Sequence, residues 1–215
     1  MKRINRKKLC VSLLLMTAFI LWTLAVNFVD VRAIGPRQSS VGFSELNGFV
    51  HNLTGVNINL YNITDWLGLV PIAVALSFAL FGFIQWIRRK KLLKVDYSIL
   101  VLGVFYIVVM AVYILFENVV INYRPVLISG CLEASYPSST TLIVLTVMPT
   151  ALIELNNRIK NKTLKNCVAL AICGFICFMV IGRLLSGVHW FTDIIGGLLL
   201  SAALVKLYSA VTDFK

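Results

Sequence analysis

Charge is scarce in this chain, and histidine scarcer still. Only 13% of the 215 residues are charged, while 59% are hydrophobic, and the mean hydropathy is +0.89. Such a composition excludes an ordinary soluble domain and points to a polytopic membrane protein. Cysteine offers no disulfide framework: Cys10, Cys167, Cys173 and Cys177 fall in or beside apolar runs and read as packing residues, with Cys131 alone on the outer side. Internal repeats and low-complexity segments are absent, which excludes repeat architectures and leaves one compact helical domain over residues 1–215. With only two histidines, His51 and His189, imidazole chemistry has few places to occur.

What is present is a set of six span-length apolar runs, at about 10–29, 66–87, 97–116, 138–155, 167–186 and 192–211. The expected fold class is therefore all-α, a six-transmembrane helical bundle. The net charge of +11 might suggest nucleic acid, but its distribution argues against that partner. Basic clusters occupy alternate connections: Lys2 to Lys8 before the first run, Arg88 to Lys94 after the second, Arg158 to Lys165 after the fourth. This is the positive-inside pattern; it predicts both termini in the cytoplasm of a multi-pass cell-membrane protein, with a surface that favours anionic lipid. The apolar core of the first run is span length, so it reads as an uncleaved first span rather than a signal peptide. The long outer connection, about residues 30–65, contains a short candidate interfacial helix at 44–53. Trp22, Trp66, Trp86 and Trp190 fall near run ends and fit an interfacial belt. Gly196, Gly197, Ser201, Ala202 and Ala203 give the sixth run a small-residue face suited to close helix packing.

Ionisable groups near a bilayer are costly and usually functional, and here they converge on the outer side. Glu117 and Arg124 follow the third run, Glu133 and the Pro137-Ser138-Ser139-Thr140 stretch precede the fourth, and Arg183, His189 and Asp193 join the fifth to the sixth. If a helix begins near His189, Asp193 lies one turn away and can hold one ring nitrogen protonated, freeing the other as nucleophile or base. Arginine offers a planar fork suited to phosphate. A proline and two serines at a helix start supply capping hydroxyls and amides that bind anions. Glu133 reads as a solvated loop residue and His51 as an ordinary interfacial one. Glu117, seven residues before Arg124, can share its helical face two turns away, as a carboxylate paired with an arginine.

Arg124-Pro125, Pro137-Ser138 and Arg183-x5-His189-x3-Asp193 together resemble the three signature motifs of the type-2 phosphatidic acid phosphatase superfamily, in order and in topological placement. The resemblance implies a metal-free, cofactor-free membrane hydrolase of lipid phosphates. It implies His189 as the nucleophile that forms a phosphohistidine, Asp193 as its orienting carboxylate, Arg124 and Arg183 as a clamp on the phosphoryl oxygens, and Ser138 and Ser139 as hydrogen-bond donors. The family patterns, roughly K-x6-RP, PSGH and SR-x5-H-x3-D, are departed from at Glu117 for lysine, Ser139 for glycine, Thr140 for histidine and Gly182 for serine.

The histidine replaced by Thr140 is the family's general acid, worth ~10²–10⁴ in rate. Three accounts stay open. Glu117 or His51 supplies the proton; or the substrate has a good leaving group, as a lipid diphosphate such as undecaprenyl diphosphate does; or the chain binds or translocates lipid phosphates without turnover. An ion-coupled transporter ranks last, because its charges belong near the bilayer midplane. The expected partners are a lipid phosphate or diphosphate and the bilayer.

Overall fold

The computed structural model describes residues 5–212. Its helices are α1 (Arg6–Phe28), α2 (Ser44–Thr54), α3 (Ile58–Leu67), α4 (Leu69–Arg89), α5 (Tyr97–Asn118), α6 (Ser139–Arg158), α7 (Lys162–Leu185) and α8 (Phe191–Thr212). Among the described residues there is no strand, only the isolated bridges Arg32–Val41 and Tyr123–Ala134. Taking α3 and α4 as one segment, six helical segments among the described residues are long and apolar enough to cross a membrane. The chain is a multi-pass helical membrane protein. The start of α1 lies beside the end of α8, where the Asn5 amide donates to the Ala210 carbonyl at 3.1 Å.

Local chemistry sets the helix starts. Asn5, Asn57 and Asn161 each cap a helix through the side-chain oxygen, accepting from Lys8, Leu60 and Leu164 amides. The Asn57 cap explains the main boundary difference from the sequence reading. Residues 58–65, expected in the outer connection, are helical and run into the second span. The break falls at Gly68, whose amide donates to the Thr64 and Asp65 carbonyls. Pro71 sits in the first turn of α4, where its missing N–H costs nothing.

α8 packs against α1 and α6, and α6 against α7. Phe19, Leu102, Phe105, Leu142, Leu200 and Tyr208 form the larger buried cluster, between α1, α5, α6 and α8. Gly196 permits this closeness, because a Cβ there would lie 2.6 Å from the Tyr136 ring. At the end away from residues 183–193, Glu154 is 1% exposed. It accepts from Tyr208 at 2.7 Å, Ser98 at 3.0 Å and Arg158 at 2.9 Å. Arg158 also pairs with Asp96 at 3.1 Å. The second arginine bound to Asp96 is Arg89, at 2.9 Å. This network bolts α4, α5, α6 and α8 together at one end.

Two compositional readings change. All five cysteines are exposed free thiols, so those on the spans face outward rather than packing the core. Trp66 and Trp86 are exposed as an interfacial belt requires, but Trp190 is buried. Its indole N–H donates to the Tyr123 carbonyl at 2.7 Å, and that of Trp22 to the Thr192 carbonyl at 3.2 Å. These two are internal ties between segments.

The turn between α7 and α8 depends on Gly187, whose φ is +67° and whose added Cβ would meet the Gly55 carbonyl oxygen at 1.9 Å. Gly187→Ala should therefore destabilise the protein by about 1–3 kcal/mol, read as a lower thermal midpoint in detergent. Gly174→Ala, in open space on α7, should leave the midpoint unchanged or raise it.

Candidate active site

Residues 119–138 turn back on themselves between α5 and α6. Arg124 donates its amide to the Glu133 carbonyl at 3.0 Å, and Ser135 donates to the Asn122 carbonyl at 2.9 Å. This pairing puts the Arg124 Nε 3.0 Å from Glu133 Oε2. Glu133, expected to be a solvated loop residue, is instead the counter-ion of Arg124.

The loop also meets the start of α8. His189 is 3% exposed, and its Nδ1 lies 3.2 Å from the Ser135 carbonyl oxygen. Its Nε2 lies 3.3 Å from Arg124 Nη1. A carbonyl only accepts and a guanidinium only donates, so both contacts select one tautomer: Nδ1 carries the proton and Nε2 presents a lone pair. Burial pushes the His189 pKa down to about 4, with the Arg124 and Arg183 charges acting the same way and Asp193 opposing. At neutral pH the ring is uncharged.

Asp193 is fully buried. Oδ2 accepts from the Trp190 amide at 2.9 Å, and Oδ1 from the Asn122 side-chain amide at 3.2 Å. Trp190 immediately precedes α8 and Asp193 is its third residue, so the carboxylate closes the reciprocal half of a capping box. Its distance to His189 Nδ1 is 3.7 Å. The two residues do lie one turn apart, but the nearer acceptor for Nδ1 is the Ser135 carbonyl. Buried Asn47, on α2, braces the same helix start: its side-chain oxygen accepts from the Thr192 amide at 3.2 Å.

Arg183 is 1% exposed and points towards α3. Nη1 reaches Thr64 Oγ1 at 3.3 Å and the Tyr61 carbonyl at 3.5 Å, while Nη2 reaches Asp65 Oδ1 at 3.3 Å. The guanidinium carbon sits 4.9 Å from the Tyr61 ring centroid. Ser138 stands at the start of α6 but, contrary to the capping hydroxyl expected there, makes no side-chain capping bond; its amide donates to the Asp193 carbonyl at 3.1 Å and its hydroxyl accepts from the Thr141 hydroxyl at 3.0 Å. The helical ladder opens with the Leu142 amide on the Ser138 carbonyl. The amides of Ser139, Thr140 and Thr141 therefore lie ahead of it.

Glu117 does not share a helical face with Arg124, because α5 ends at Asn118. It is exposed, interacts with Tyr113, and lines a small cleft with Ser135 and Ser139. Thr140 turns towards the α3–α4 bend, its methyl 3.7 Å from where a Gly68 Cβ would be. His51 lies against Trp190, ring centroids 5.5 Å apart, and burial holds its pKa below the ordinary histidine range. Asn122, the Ser135 carbonyl and Asp65 were not singled out from sequence, and Glu133 was, but without its partner Arg124. Their signal was polar residues near motif residues, but nothing in the loop pattern indicated the pairing.

A neutral buried imidazole facing an arginine, with the charge of the buried Arg183 also acting on it, is an arrangement chemically able to receive an anion and to present a nucleophilic nitrogen. Residues 117–215 match the family model described as the PAP2 superfamily. The fold is similar to that in the crystal structure of a transmembrane PAP2 type phosphatidylglycerolphosphate phosphatase from Bacillus subtilis, with a TM-score of 0.61 and 15% identity over 93% of this chain and 94% of that one. The family match falls on the second part of the chain, and the structural likeness shows the fold. No curated protein matches the chain.

The site geometry makes a spectroscopic prediction. In ¹⁵N NMR of detergent-solubilised protein, His189 should be the neutral Nδ1–H tautomer at pH 7 and protonate with a midpoint near about 4. Lowering pH through the ordinary histidine range should leave it uncharged, because burial penalises the cation. A midpoint at the ordinary histidine value of about 6.5 would contradict the buried, tautomer-locked ring.

Proposed function

We propose that the protein is a membrane phosphatase that hydrolyses a lipid phosphate or diphosphate at the outer leaflet through a phosphohistidine intermediate. The observation that carries this reading is the His189 ring, proton held at Nδ1 by the Ser135 carbonyl and Nε2 facing Arg124. In the reaction Nε2 attacks phosphorus, the Nε2–P bond forms and the P–O bond to the lipid moiety breaks. Arg124 and Arg183 neutralise the phosphoryl oxygens, which is where most of the catalysis of phosphoryl transfer arises. The proton on Nδ1 stays with the ring, and the charge it gains is offset by the nearby Asp193 carboxylate. Water then cleaves the P–N bond, releasing phosphate and the neutral imidazole. Ser138 and Ser139 stand at the amide-bearing start of α6 and are suited to further hydrogen bonds. The chemistry assigned to these residues needs no metal. The positive-inside charge pattern supports cytoplasmic termini, an outward-facing site and placement in the cell membrane.

With threonine at position 140, departure of an alkoxide lacks the family's proton donor. A lipid diphosphate expels a phosphate monoester instead, which needs less protonation, so diphosphates are the favoured substrates. The same substitution favours one second reading, a catalytically impaired relative that binds or translocates lipid phosphates.

Purified protein in detergent should release phosphate from at least one of undecaprenyl diphosphate, phosphatidylglycerophosphate and phosphatidic acid. His189→Ala should lower that rate at least about a thousandfold. Release from none of the three, or release insensitive to His189→Ala, removes the enzymatic reading in favour of the binding one. Thr140→His should raise turnover of monoesters by up to ~10²–10⁴ and leave diphosphates little changed. An equal gain on both would refute the leaving-group argument.

A further inference from the structure

The arginine that completes the clamp cannot take a phosphate in the state the structure shows. Arg183 is 1% exposed, and four polar or aromatic contacts from α3 cover it. Three of them are fixed: the Tyr61 carbonyl belongs to a helix backbone, the Tyr61 ring stacks on the guanidinium, and Thr64 is fully buried. The fourth, Asp65, has a side chain 56% exposed. It holds Nη2 at 3.3 Å, while Arg183 Nε is buried and has no hydrogen-bond partner. Nε–H and one Nη2–H are parallel donors on a single edge of the guanidinium, the edge that grips two oxygens of a phosphate side-on. One donor of that edge is vacant and the other donates to the Asp65 carboxylate.

Resting on the phosphatase reading, we propose that Asp65 is a positioning residue: it supplies the resident anion of Arg183 in the empty site and gives way to the phosphoryl group when substrate binds. A buried cation needs a counter-ion in every state it visits. Asp65 meets that need before loading and the phosphate meets it afterwards. Retaining both would crowd two anions onto one guanidinium edge, an unfavourable like-charge contact. Releasing Asp65 is easy because its carboxylate is already largely solvated. α3 thereby becomes part of the site, although it lies outside residues 117–215 matched by the family model.

The test uses inorganic phosphate as probe, followed by calorimetry and thermal shift on the full-length protein in detergent, so it does not depend on turnover. Asp65→Asn removes the competing anion and should tighten phosphate binding by about threefold to tenfold. Asp65→Glu, which restores a carboxylate, should return the affinity towards wild type, and Arg183→Ala should abolish the difference. Asp65→Asn should also lower the thermal midpoint of the empty protein and recover it in saturating phosphate. With any hydrolysed lipid, the same variant should lower KM rather than raise it. Unchanged or weaker phosphate binding by Asp65→Asn overturns the proposal, as does a loss of stability that phosphate cannot restore. Failure of every lipid to turn over removes the phosphatase reading while the phosphate-binding arm still decides the role of Asp65.

Discussion

The end of this molecule that carries the candidate site hangs on the carboxylate of Asp193. A carboxylate removed wholly from water is tolerable only if its lone pairs are occupied, and here the donors come from distant segments. The Trp190 amide takes one oxygen and the Asn122 side chain the other. The main-chain carbonyl of Asp193 accepts from Ser138. One residue thus fixes the start of α8, the start of α6 and the loop after α5 relative to each other. His189 inherits its place from that knot. With Ser135 and Asn122 paired through the same loop, the acceptor that holds Nδ1 is main chain, and it cannot change protonation state. With the tautomer selected by a carbonyl, the Asp193 carboxylate, 3.7 Å from Nδ1, is a second group that would favour charge on the ring in the proposed phosphohistidine step.

A second polar knot at the opposite end of the bundle explains why this precision is affordable in an apolar solvent. Glu154, Arg158, Asp96, Ser98 and Tyr208 tie together the helices whose other ends carry the site. Lipid supplies no hydrophobic drive to hold helices together, so association rests on packing and on such bonds. Breaking one partner of a buried pair costs about 3–5 kcal/mol, a large part of any domain's stability. The far knot fixes helix registry, and the near one fixes atoms.

Legibility in the sequence followed periodicity and motif, and ended where the chain leaves a regular element. The six spans were readable because lipid demands about twenty apolar residues. His189, Asp193, Arg124 and Arg183 were readable as a spaced set at span ends. Glu133 was not, because its pairing with Arg124 arises from a loop that folds back, and loops carry no period to project. The heptad argument for Glu117 failed for the same reason: it assumed helix through a stretch where α5 has already ended at Asn118. Asp65 was hidden by a boundary. Eight residues assigned to a connection belong to a helix capped by Asn57, and only that helix brings Tyr61, Thr64 and Asp65 onto Arg183. Trp190 and Trp22 sat at span ends as an interfacial belt would, and position alone could not separate a ring facing lipid from one tied inward.

The charge balance of the finished site bears on substrate choice in two opposing ways. Arg124 arrives paired with Glu133 and Arg183 with Asp65, while Asp193 remains as a further negative charge beside a neutral imidazole. Such a site does not accumulate positive potential, so on the proposed reading it would accept a phosphoryl group by exchange of anions and by geometry. An extra negative charge near a carboxylate costs ~4 kcal/mol at ~4 Å and an effective dielectric of about 20, which would penalise binding of a diphosphate. The lost general acid is worth a similar amount, ~10²–10⁴ in rate, and penalises turnover of a monoester. The first penalty falls on association, where a long lipid tail held in the bilayer can offset it. The second falls on the bond-breaking step, where nothing remote from the leaving oxygen can. On the proposed phosphatase reading, the chemical step therefore weighs more than association, and it favours the better leaving group.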